Sequence, residues 1–170
     1  MACKGSAVRD RLAPHLNTGM MNITDKHERK LRDLRISVTD KCNFRCTYCM
    51  PKEIYNSNYK FLKRTEILSF EEIIKLSNIF SSMGVKKIRL TGGEPLLRKN
   101  IHVLINYLKD IKNIDDISMT TNGVLLSEKK AILLKDSRIN FIIFDVSSIL
   151  SFLLLFKKRN NVSASVKAIS

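Results

Sequence analysis

The chain has 170 residues, of which 44% are hydrophobic, and its formal net charge at pH 7 is +14. The length suits one ordinary domain, since no internal repeat or low-complexity linker divides it. The basic charge would suit a nucleotide triphosphate ligand or nucleic acid, although a solvated lysine-rich surface explains it more simply. Because the lysines are scattered and no recognition-helix motif is present, we expect no nucleic-acid partner.

The first thirty residues have an irregular composition, and we expect them to form a leader outside the folded core. Residues 1–22 contain few acids and several basic residues, which is equally typical of a disordered leader and of an organelle transit segment. No signal peptide is recognisable, so the cysteines are expected in a reducing compartment. Cys3, within this leader, is interpreted as an incidental free thiol.

A strand-like stretch at 35–39 is followed by three cysteines with the spacing C-x3-C-x2-C, at Cys42, Cys46 and Cys49. A cubane iron–sulfur cluster normally takes four thiolates, so three thiolates leave one iron with an open coordination position. An open position is where a metal site performs chemistry rather than only supporting a fold. The spacing therefore indicates a three-thiolate cluster site with one open iron position, on the loop after the first strand.

A zinc-binding structural protein is the less favoured interpretation of the same cysteines, because structural zinc takes four ligands, usually as two close pairs. The other candidate ligands stand at no paired spacing, and they are Cys3, His15, His27 and His102. A disulfide is also disfavoured, since three cysteines leave one unpaired and the compartment is expected to be reducing.

Two further strand-like stretches, at 85–90 and 117–120, also end in polar turns. Gly-Gly-Glu-Pro at 92–95 follows the first, and Thr-Asn-Gly at 121–123 follows the second. Paired glycines permit close approach of a ligand to the backbone, because no Cβ intervenes. Since ligands bind at the carboxyl ends of parallel strands, the three turns predict one shared site.

Helical patterns separate these strands. The first helix begins with a capping box at Ser69 and Glu72, ends before Gly84, and has an expected apolar face of Ile73, Leu76, Phe80 and Met83. The second shows helical spacing at Ile101, Leu104, Ile105 and Leu108, and the third begins near Ser127 and runs through Ile132, Leu133 and Leu134. Alternating strands and helices predict an α/β fold with a parallel sheet, an open or closed barrel.

Three strings of this sequence, at 32–52, 87–98 and 120–123, resemble the MoaA family of radical S-adenosylmethionine (SAM) enzymes. The Arg-Asp-Leu-Arg lead-in and the Cys-Met-Pro exit around the cysteines are more specific than the cysteine spacing alone. The resemblance covers about residues 30–140. It implies a partial radical-SAM (βα) barrel of about four parallel strands with crossover helices, at residues 31–146. The irregular leader would occupy residues 1–30, and a divergent tail, first apolar and then polar, would occupy residues 147–170.

The resemblance also implies three sets of site residues. The ligands of a 4Fe–4S cluster are Cys42, Cys46 and Cys49. The contacts to SAM are Tyr48 and Gly93. The contacts to GTP are Arg35, Arg89 and Thr120, and a guanidinium fork is well suited to hold a phosphate or a purine edge with two parallel hydrogen bonds.

The family consists of GTP 3′,8-cyclases, lyases that begin molybdenum cofactor biosynthesis. The resemblance implies that one electron from the cluster cleaves SAM, and that the 5′-deoxyadenosyl radical takes hydrogen from C3′ of GTP. The expected product is (8S)-3′,8-cyclo-7,8-dihydroguanosine 5′-triphosphate. Expected partners are GTP, a one-electron donor and a downstream cyclic pyranopterin monophosphate synthase. The expected location is the cytoplasm of a bacterium or the mitochondrial matrix of a eukaryote.

The sequence departs from the family after residue 140, where 141–148 read Phe-Ile-Ile-Phe-Asp-Val-Ser-Ser. The family has a SAM-contacting serine here that this sequence lacks, and its role does not transfer to Ser147. The apolar run at 141–156 is too short for a membrane span and contains Asp145, so no membrane role is expected.

The family's members are longer and carry a second three-cysteine cluster, for which this sequence has no cysteines. We therefore expect a truncated chain that is catalytically incomplete. The alternative is a 4Fe–4S- and SAM-binding module that acts with a partner chain.

Overall fold

The computed structural model describes residues 23–145, which form a four-stranded parallel sheet with the strands in chain order. The strands are β1 (Asp33–Ser37), β2 (Lys87–Thr91), β3 (Asp116–Thr121) and β4 (Phe141–Phe144). The helices are α1 (Phe70–Ser82), α2 (Ile101–Lys109) and α3 (Glu128–Asp136), with short 3-10 turns at Arg64–Glu66 and Pro95–Leu97. The first two strands lie within two residues of their predicted ranges.

The two faces of the sheet differ in character, because the strand sequences alternate between apolar and polar residues. One face is buried against the helices and contributes Ile36, Ile88, Leu90, Ile117 and Met119 to the hydrophobic core. The opposite face carries Arg35 and Arg89 in register on β1 and β2, and both of these arginines are exposed.

This arrangement is that of a partial (βα) barrel. In a doubly wound sheet the strand order reverses and helices cover both faces, whereas here the order is β1-β2-β3-β4 and the hydrophobic core lies on one face. The predicted fold class is therefore confirmed. The polar face corresponds to the inside of the barrel, and the carboxyl ends of the strands meet at one edge.

Helix α1 begins as predicted, because the Ser69 hydroxyl accepts from the Glu72 N–H and the Glu72 carboxylate accepts from the Ser69 N–H. Its predicted apolar face is partly wrong. Leu76 is 39% exposed, whereas Ile74, Ser77 and Ser81 are buried beside Ile73. Ser81 donates through Oγ to the carbonyl of Lys112 at 2.5 Å, so the buried face of α1 includes polar side chains that the predicted apolar face did not.

Helices α2 and α3 follow their predicted patterns to different degrees. The four predicted core residues of α2 are all buried, and they are Ile101, Leu104, Ile105 and Leu108. Helix α3 begins after Ser127, whose hydroxyl accepts from the Lys130 N–H. Leu134 is its one buried residue, and Ile132 is 53% exposed. α2 therefore packs over the sheet more closely than α3 does.

The predicted domain boundaries at residues 30 and 146 remain predictions. Residues 1–22, with Cys3 and the transit-like composition, and residues 146–170, with Ser147 and the tail, lie outside the described part of the chain. Within the predicted leader, Thr24 and Lys30 form an antiparallel bridge around a turn, and Asp25 accepts from Arg29 Nε at 2.8 Å. Among residues 23–145, no helix is both long enough and apolar enough to cross a bilayer.

The core position of α2 is directly testable with Leu104→Ala. Leu104 is fully buried, so truncation should lower the free energy of unfolding by about 3 kcal/mol through lost burial and a residual cavity. Urea unfolding followed by far-UV circular dichroism measures this change. The matched control is Val103→Ala, since Val103 is the next residue of the same helix and is 36% exposed. Equal losses in the two variants would contradict the predicted packing.

Candidate cluster and ligand site

The three predicted cluster ligands lie together on the loop that follows β1. Cys42 and Cys46 are half-buried, and Cys49 is exposed. The backbone turns tightly between the last two, because the N–H groups of Cys49 and Met50 both donate to the Cys46 carbonyl, at 3.1 and 2.8 Å. The Phe44 N–H donates to Cys42 Sγ at 3.4 Å. Local turns therefore give the loop a defined shape.

The donor set fits an iron–sulfur cluster, since three thiols on one short loop are soft ligands that bind separate irons of a cubane. A single zinc ion would instead need its sulfurs within about 4 Å of one another, from the usual Zn–S distance. Among residues 23–145, no three His, Cys, Asp or Glu side chains are grouped closely enough to bind one metal ion together. Burial raises the pKa of the Cys42 and Cys46 thiols, so iron binding must displace their protons.

The turn after β2 packs directly against the beginning of the cysteine loop. The Gly93 N–H donates to the Thr39 carbonyl at 2.7 Å, and the Glu94 N–H donates to the Lys41 carbonyl at 2.8 Å. A Cβ on Gly92 would lie 2.3 Å from the Thr39 carbonyl oxygen, and one on Gly93 would lie 2.2 Å from that of Lys41. The paired glycines are therefore required for contact between two backbone segments, a role that the sequence analysis did not assign to them.

Glu94, which the sequence analysis assigned no role, is 1% exposed. Its Oε1 accepts from the Thr121 hydroxyl at 2.6 Å and from the Leu96 N–H at 3.0 Å, and its Oε2 accepts from the Asn122 N–H at 2.8 Å. A buried carboxylate requires such donors, because an unsatisfied charge in the interior is costly. Glu94 thereby joins the turn after β2 to the end of β3.

Asn122 continues this connection to the cysteine loop. Its side-chain Nδ2 donates to Asn43 Oδ1 at 2.8 Å and lies 4.0 Å from Cys42 Sγ, within the longer range of hydrogen bonds to sulfur. Its Oδ1 accepts from the Val124 N–H at 3.1 Å. The predicted convergence of the three strand ends is therefore seen at the first cysteine.

Arg45, between the first two cysteines, organises the outer side of the loop. Its Nη1 donates to the carbonyls of Cys42 and Phe44 at 3.0 and 2.8 Å, and its Nε donates to the Tyr55 carbonyl at 2.9 Å. The guanidinium also lies 5.5 Å from the centre of the Phe61 ring, a cation–π distance. Arg45 therefore holds residues 55–61 against the cysteine loop.

Tyr48, predicted to contact SAM, is 64% exposed and lies on the same loop. Its hydroxyl donates to Asp145 Oδ2 at 2.5 Å, which links the cysteine loop to the residue after β4. Asp145 thus completes the ring of contacts, so that residues after each of the four strands take part at this edge of the sheet.

The predicted GTP residues lie on the polar face of the sheet. Arg35, Arg89 and Ser118 occupy one row across β1, β2 and β3, and they border a groove of about 340 Å³. Asp33, Lys87 and Asp116 form the neighbouring row at the amino-terminal end of the same groove. Thr120 stands two residues beyond Ser118, nearer to the cysteine loop, and is not among the residues that line the groove.

The structure therefore brings the predicted cluster ligands and SAM contacts together and places the predicted GTP-binding arginines apart from them. The cysteines, Tyr48 and Gly93 share the carboxyl edge of the sheet, while the arginine pair lies further along the strands. Five connecting side chains were missed from the sequence, and they are Arg45, Glu94, Thr121, Asn122 and Asp145. The acid between the glycine pair and the proline was visible at position 94, but two of its three donors stand 27 and 28 residues away, at the end of β3.

Comparisons with known proteins give consistent matches. The family profile of the Radical SAM superfamily matches residues 36–170. GTP 3′,8-cyclases of Staphylococcus haemolyticus (strain JCSC1435) and Staphylococcus epidermidis (strain ATCC 12228 / FDA PCI 1200) are each 58% identical over 106 residues. That of Staphylococcus aureus (strain Newman) is 53% identical over 106 residues. Each alignment covers 62% of this chain and 31% of the relative, so the match extends over about a third of the relatives' length.

Two solved structures show weaker likeness. Selenomethionine-labelled BtrN in an open conformation is 25% identical, with a TM-score of 0.48 over 65% of this chain and 48% of that chain. BtrN in complex with AdoMet and 2-DOIA is 23% identical, with a TM-score of 0.49 over 65% of this chain and 44% of that chain.

The contact between the glycine turn and the cysteine loop predicts the behaviour of Gly93→Ala. The added Cβ meets the Lys41 backbone, which has no flexible end to move aside, so residues 39–41 should separate from residues 93–94. Amide hydrogen exchange should become faster, by about tenfold or more, at Gly93 and Glu94.

The control for this prediction is Gly84→Ala. Gly84 has a φ of 108° and precedes β2, so alanine strains the backbone at the opposite edge of the sheet. It should leave exchange at Gly93 and Glu94 unchanged. Unaltered exchange at these two amides in Gly93→Ala would show that the close backbone contact is not present in solution.

Proposed function

The chain belongs to the radical SAM superfamily, and from this membership we propose that residues 31–146 form the cluster- and SAM-binding part of a GTP 3′,8-cyclase of molybdenum cofactor biosynthesis. The identity to the staphylococcal cyclases supports the substrate, and the chain matches 31% of their length. The structural observation that carries the proposal is the position of the three cysteines. They lie beside the Gly93 turn, at the edge of a sheet whose polar face holds two adjacent arginines.

Membership of the superfamily implies a 4Fe–4S cluster and SAM as cofactors. We propose that Cys42, Cys46 and Cys49 hold the cluster as thiolates, in agreement with the fit of the donor set. When bound, the cluster and SAM supply the one-electron chemistry that begins a radical reaction. The residues of this chain hold these groups, orient them toward the groove and limit access of water.

The proposed SAM contacts agree with the hydrogen bonds of the glycine turn. The Gly93 N–H is already donated to Thr39, whereas within residues 23–145 its carbonyl accepts no hydrogen bond. An amino group is a donor, so the carbonyl of Gly93 is the group of this residue that suits it. Tyr48, on the cysteine loop, would add a second contact to SAM, with its hydroxyl oriented by Asp145.

The proposed GTP contacts rest on the two adjacent arginines. Like charges directly opposite one another on neighbouring strands destabilise a sheet. Within the described part of the chain, neither Arg35 nor Arg89 forms an ion pair, so no acidic side chain offsets this repulsion. A triphosphate would offset it and would form charge-assisted hydrogen bonds with both. Thr120 would add a polar contact nearer to the cysteine loop.

The proposal includes the expected partners, a one-electron donor and a downstream cyclic pyranopterin monophosphate synthase. The curated relatives come from bacteria, which favours the cytoplasm among the expected locations. Two alternative functions differ from this proposal in what the chain would bind and what it would form. A binding module without turnover would take up the cluster and SAM but form no cyclised product, and a structural zinc protein would take up zinc.

The cluster proposal predicts that anaerobic reconstitution with iron and sulfide gives a 4Fe–4S signal in low-temperature electron paramagnetic resonance (EPR) of the reduced protein. Addition of SAM should change the signal, because SAM would occupy the open iron position. Cys42→Ala should lose the signal, since it removes one of three thiolates. Cys3→Ala, the control, should keep it. Zinc uptake with no iron signal, or a signal that SAM does not alter, would contradict the proposal.

The substrate proposal predicts that Arg89→Ala weakens GTP binding about tenfold or more, because a charge-assisted hydrogen bond contributes about 1.5–3 kcal/mol. Isothermal titration calorimetry of the reconstituted chain with GTP measures the affinity. Arg32→Ala is the charge-matched control, since Arg32 precedes β1 and does not line the groove. Equal GTP affinity in the parent chain and in Arg89→Ala would remove the arginine pair from the binding site.

A further inference from the structure

We propose that Asn122 is a positioning residue for the cluster, whose side-chain amide donates to the sulfur of Cys42 and holds the first cysteine against the end of β3. The inference rests on the proposed function in one respect, namely that Cys42 binds iron. The link itself is a contact within the chain, between Asn122 Nδ2 and both Asn43 Oδ1 and Cys42 Sγ. It joins residues 79 and 80 positions apart in the sequence.

The orientation of the Asn122 amide is determined by its neighbours. The Val124 N–H donates to Oδ1 at 3.1 Å, so the carbonyl end of the amide faces the turn after β3. The NH₂ end must then face the cysteine loop, where Asn43 Oδ1 accepts at 2.8 Å. A flipped amide would place its oxygen against the Asn43 oxygen and its NH₂ against the Val124 N–H, which would lose both hydrogen bonds.

The backbone of Asn122 is held equally firmly. Its N–H donates to the buried Glu94 carboxylate, which also accepts from the Thr121 hydroxyl. The Gly123 N–H in turn donates to Thr121 Oγ1 at 3.0 Å. A side chain on a backbone constrained from both sides loses little conformational entropy when it binds the loop, so its donor is preorganised.

The sulfur of Cys42 has a different set of contacts when it binds iron. As a thiol it donates weakly to Asn43 Oδ1 at 3.9 Å, whereas an iron-bound sulfur has no proton and can only accept. The donors then directed at it are the Phe44 N–H at 3.4 Å and Asn122 Nδ2. Hydrogen bonds to cluster sulfurs stabilise the more negative, reduced state and so raise the reduction potential.

The test uses Asn122→Ser in the 170-residue chain. Serine is uncharged and its hydroxyl can still accept from the N–H two residues on, which preserves the turn, but it is too short to reach Asn43 or Cys42. Asn78→Ser is the matched control, because Asn78 Nδ2 donates to the Ile74 carbonyl within α1, away from the cysteines. Asn43→Ala removes the acceptor of the Asn122 amide on the exposed loop, and it replaces Asn122→Ser in the test if that variant does not fold.

The first measurement is made without metal, by peptide mapping of alkylation rates with iodoacetamide. Cys49 in the same molecule is the reference, because it is exposed in the parent chain. Without the link, the half-buried sulfur of Cys42 should become more accessible. We therefore expect the ratio of the Cys42 rate to the Cys49 rate to rise severalfold in Asn122→Ser and in Asn43→Ala, and to stay unchanged in Asn78→Ser. A ratio that is unchanged or lower in both loop variants would overturn the inference.

The second measurement is the midpoint potential of the reconstituted cluster, from a redox titration followed by EPR. We expect a shift to more negative potential in Asn122→Ser and no shift in Asn78→Ser. A cluster with the parent potential in Asn122→Ser would overturn the inference while leaving the proposed function intact. If the parent chain assembles no cluster, the proposed function fails, and the alkylation ratio still decides whether Asn122 holds Cys42.

Discussion

The close contact between two backbone segments, residues 39–41 and the Gly92–Gly93 turn, is the constraint on which the site depends. Atoms at this contact are so near that any side chain at either glycine would strike a carbonyl oxygen. The contact aligns the first turn of the cysteine loop with the end of β2. Further contacts then hold the loop beyond this point, between Asn122 and the first cysteine and between Tyr48 and Asp145. A side chain at either glycine would disturb the start of the loop first.

A buried carboxylate extends the alignment to the third strand. Glu94 is almost fully removed from solvent, and three donors from two segments satisfy its oxygens. Burial of a carboxylate without hydrogen-bond donors would destabilise the folded state. Because few arrangements of the chain supply all three donors, the buried carboxylate favours this one arrangement. The residues that hold the site in shape are thus polar and internal, and Glu94 lies next to the hydrophobic core, since one of its donors is the N–H of the core residue Leu96.

Local patterns predicted the fold well, and they predicted the contacts within the site poorly. The apolar spacing of α2 and the capping box of α1 are properties of neighbouring residues, and both are present as expected. The face of α1 was partly misjudged because the small polar residues Ser77 and Ser81 are buried, and an apolar pattern does not identify such residues as part of a core. Cysteine spacing located the site, but the partners of Glu94 and Asn122 in other segments are brought near only by the sheet, and residues 55–61 reach Arg45 only through the fold of their own loop. No periodicity or spacing in the chain encodes those distances.

The row of Asp33, Lys87 and Asp116 on the polar face limits where an anion would bind in the groove. Asp33 and Asp116 flank Lys87 one row below the two arginines, and Asp116 has a buried oxygen without a partner among the described residues. Two residues along a strand correspond to about 7 Å. The formal charge of the polar face thus changes from positive in the arginine row to negative in the row of Asp33, Lys87 and Asp116. An anion held by the arginines would meet this change of sign at the amino-terminal end of the groove, and a longer ligand would therefore extend toward the edge where the cysteines lie.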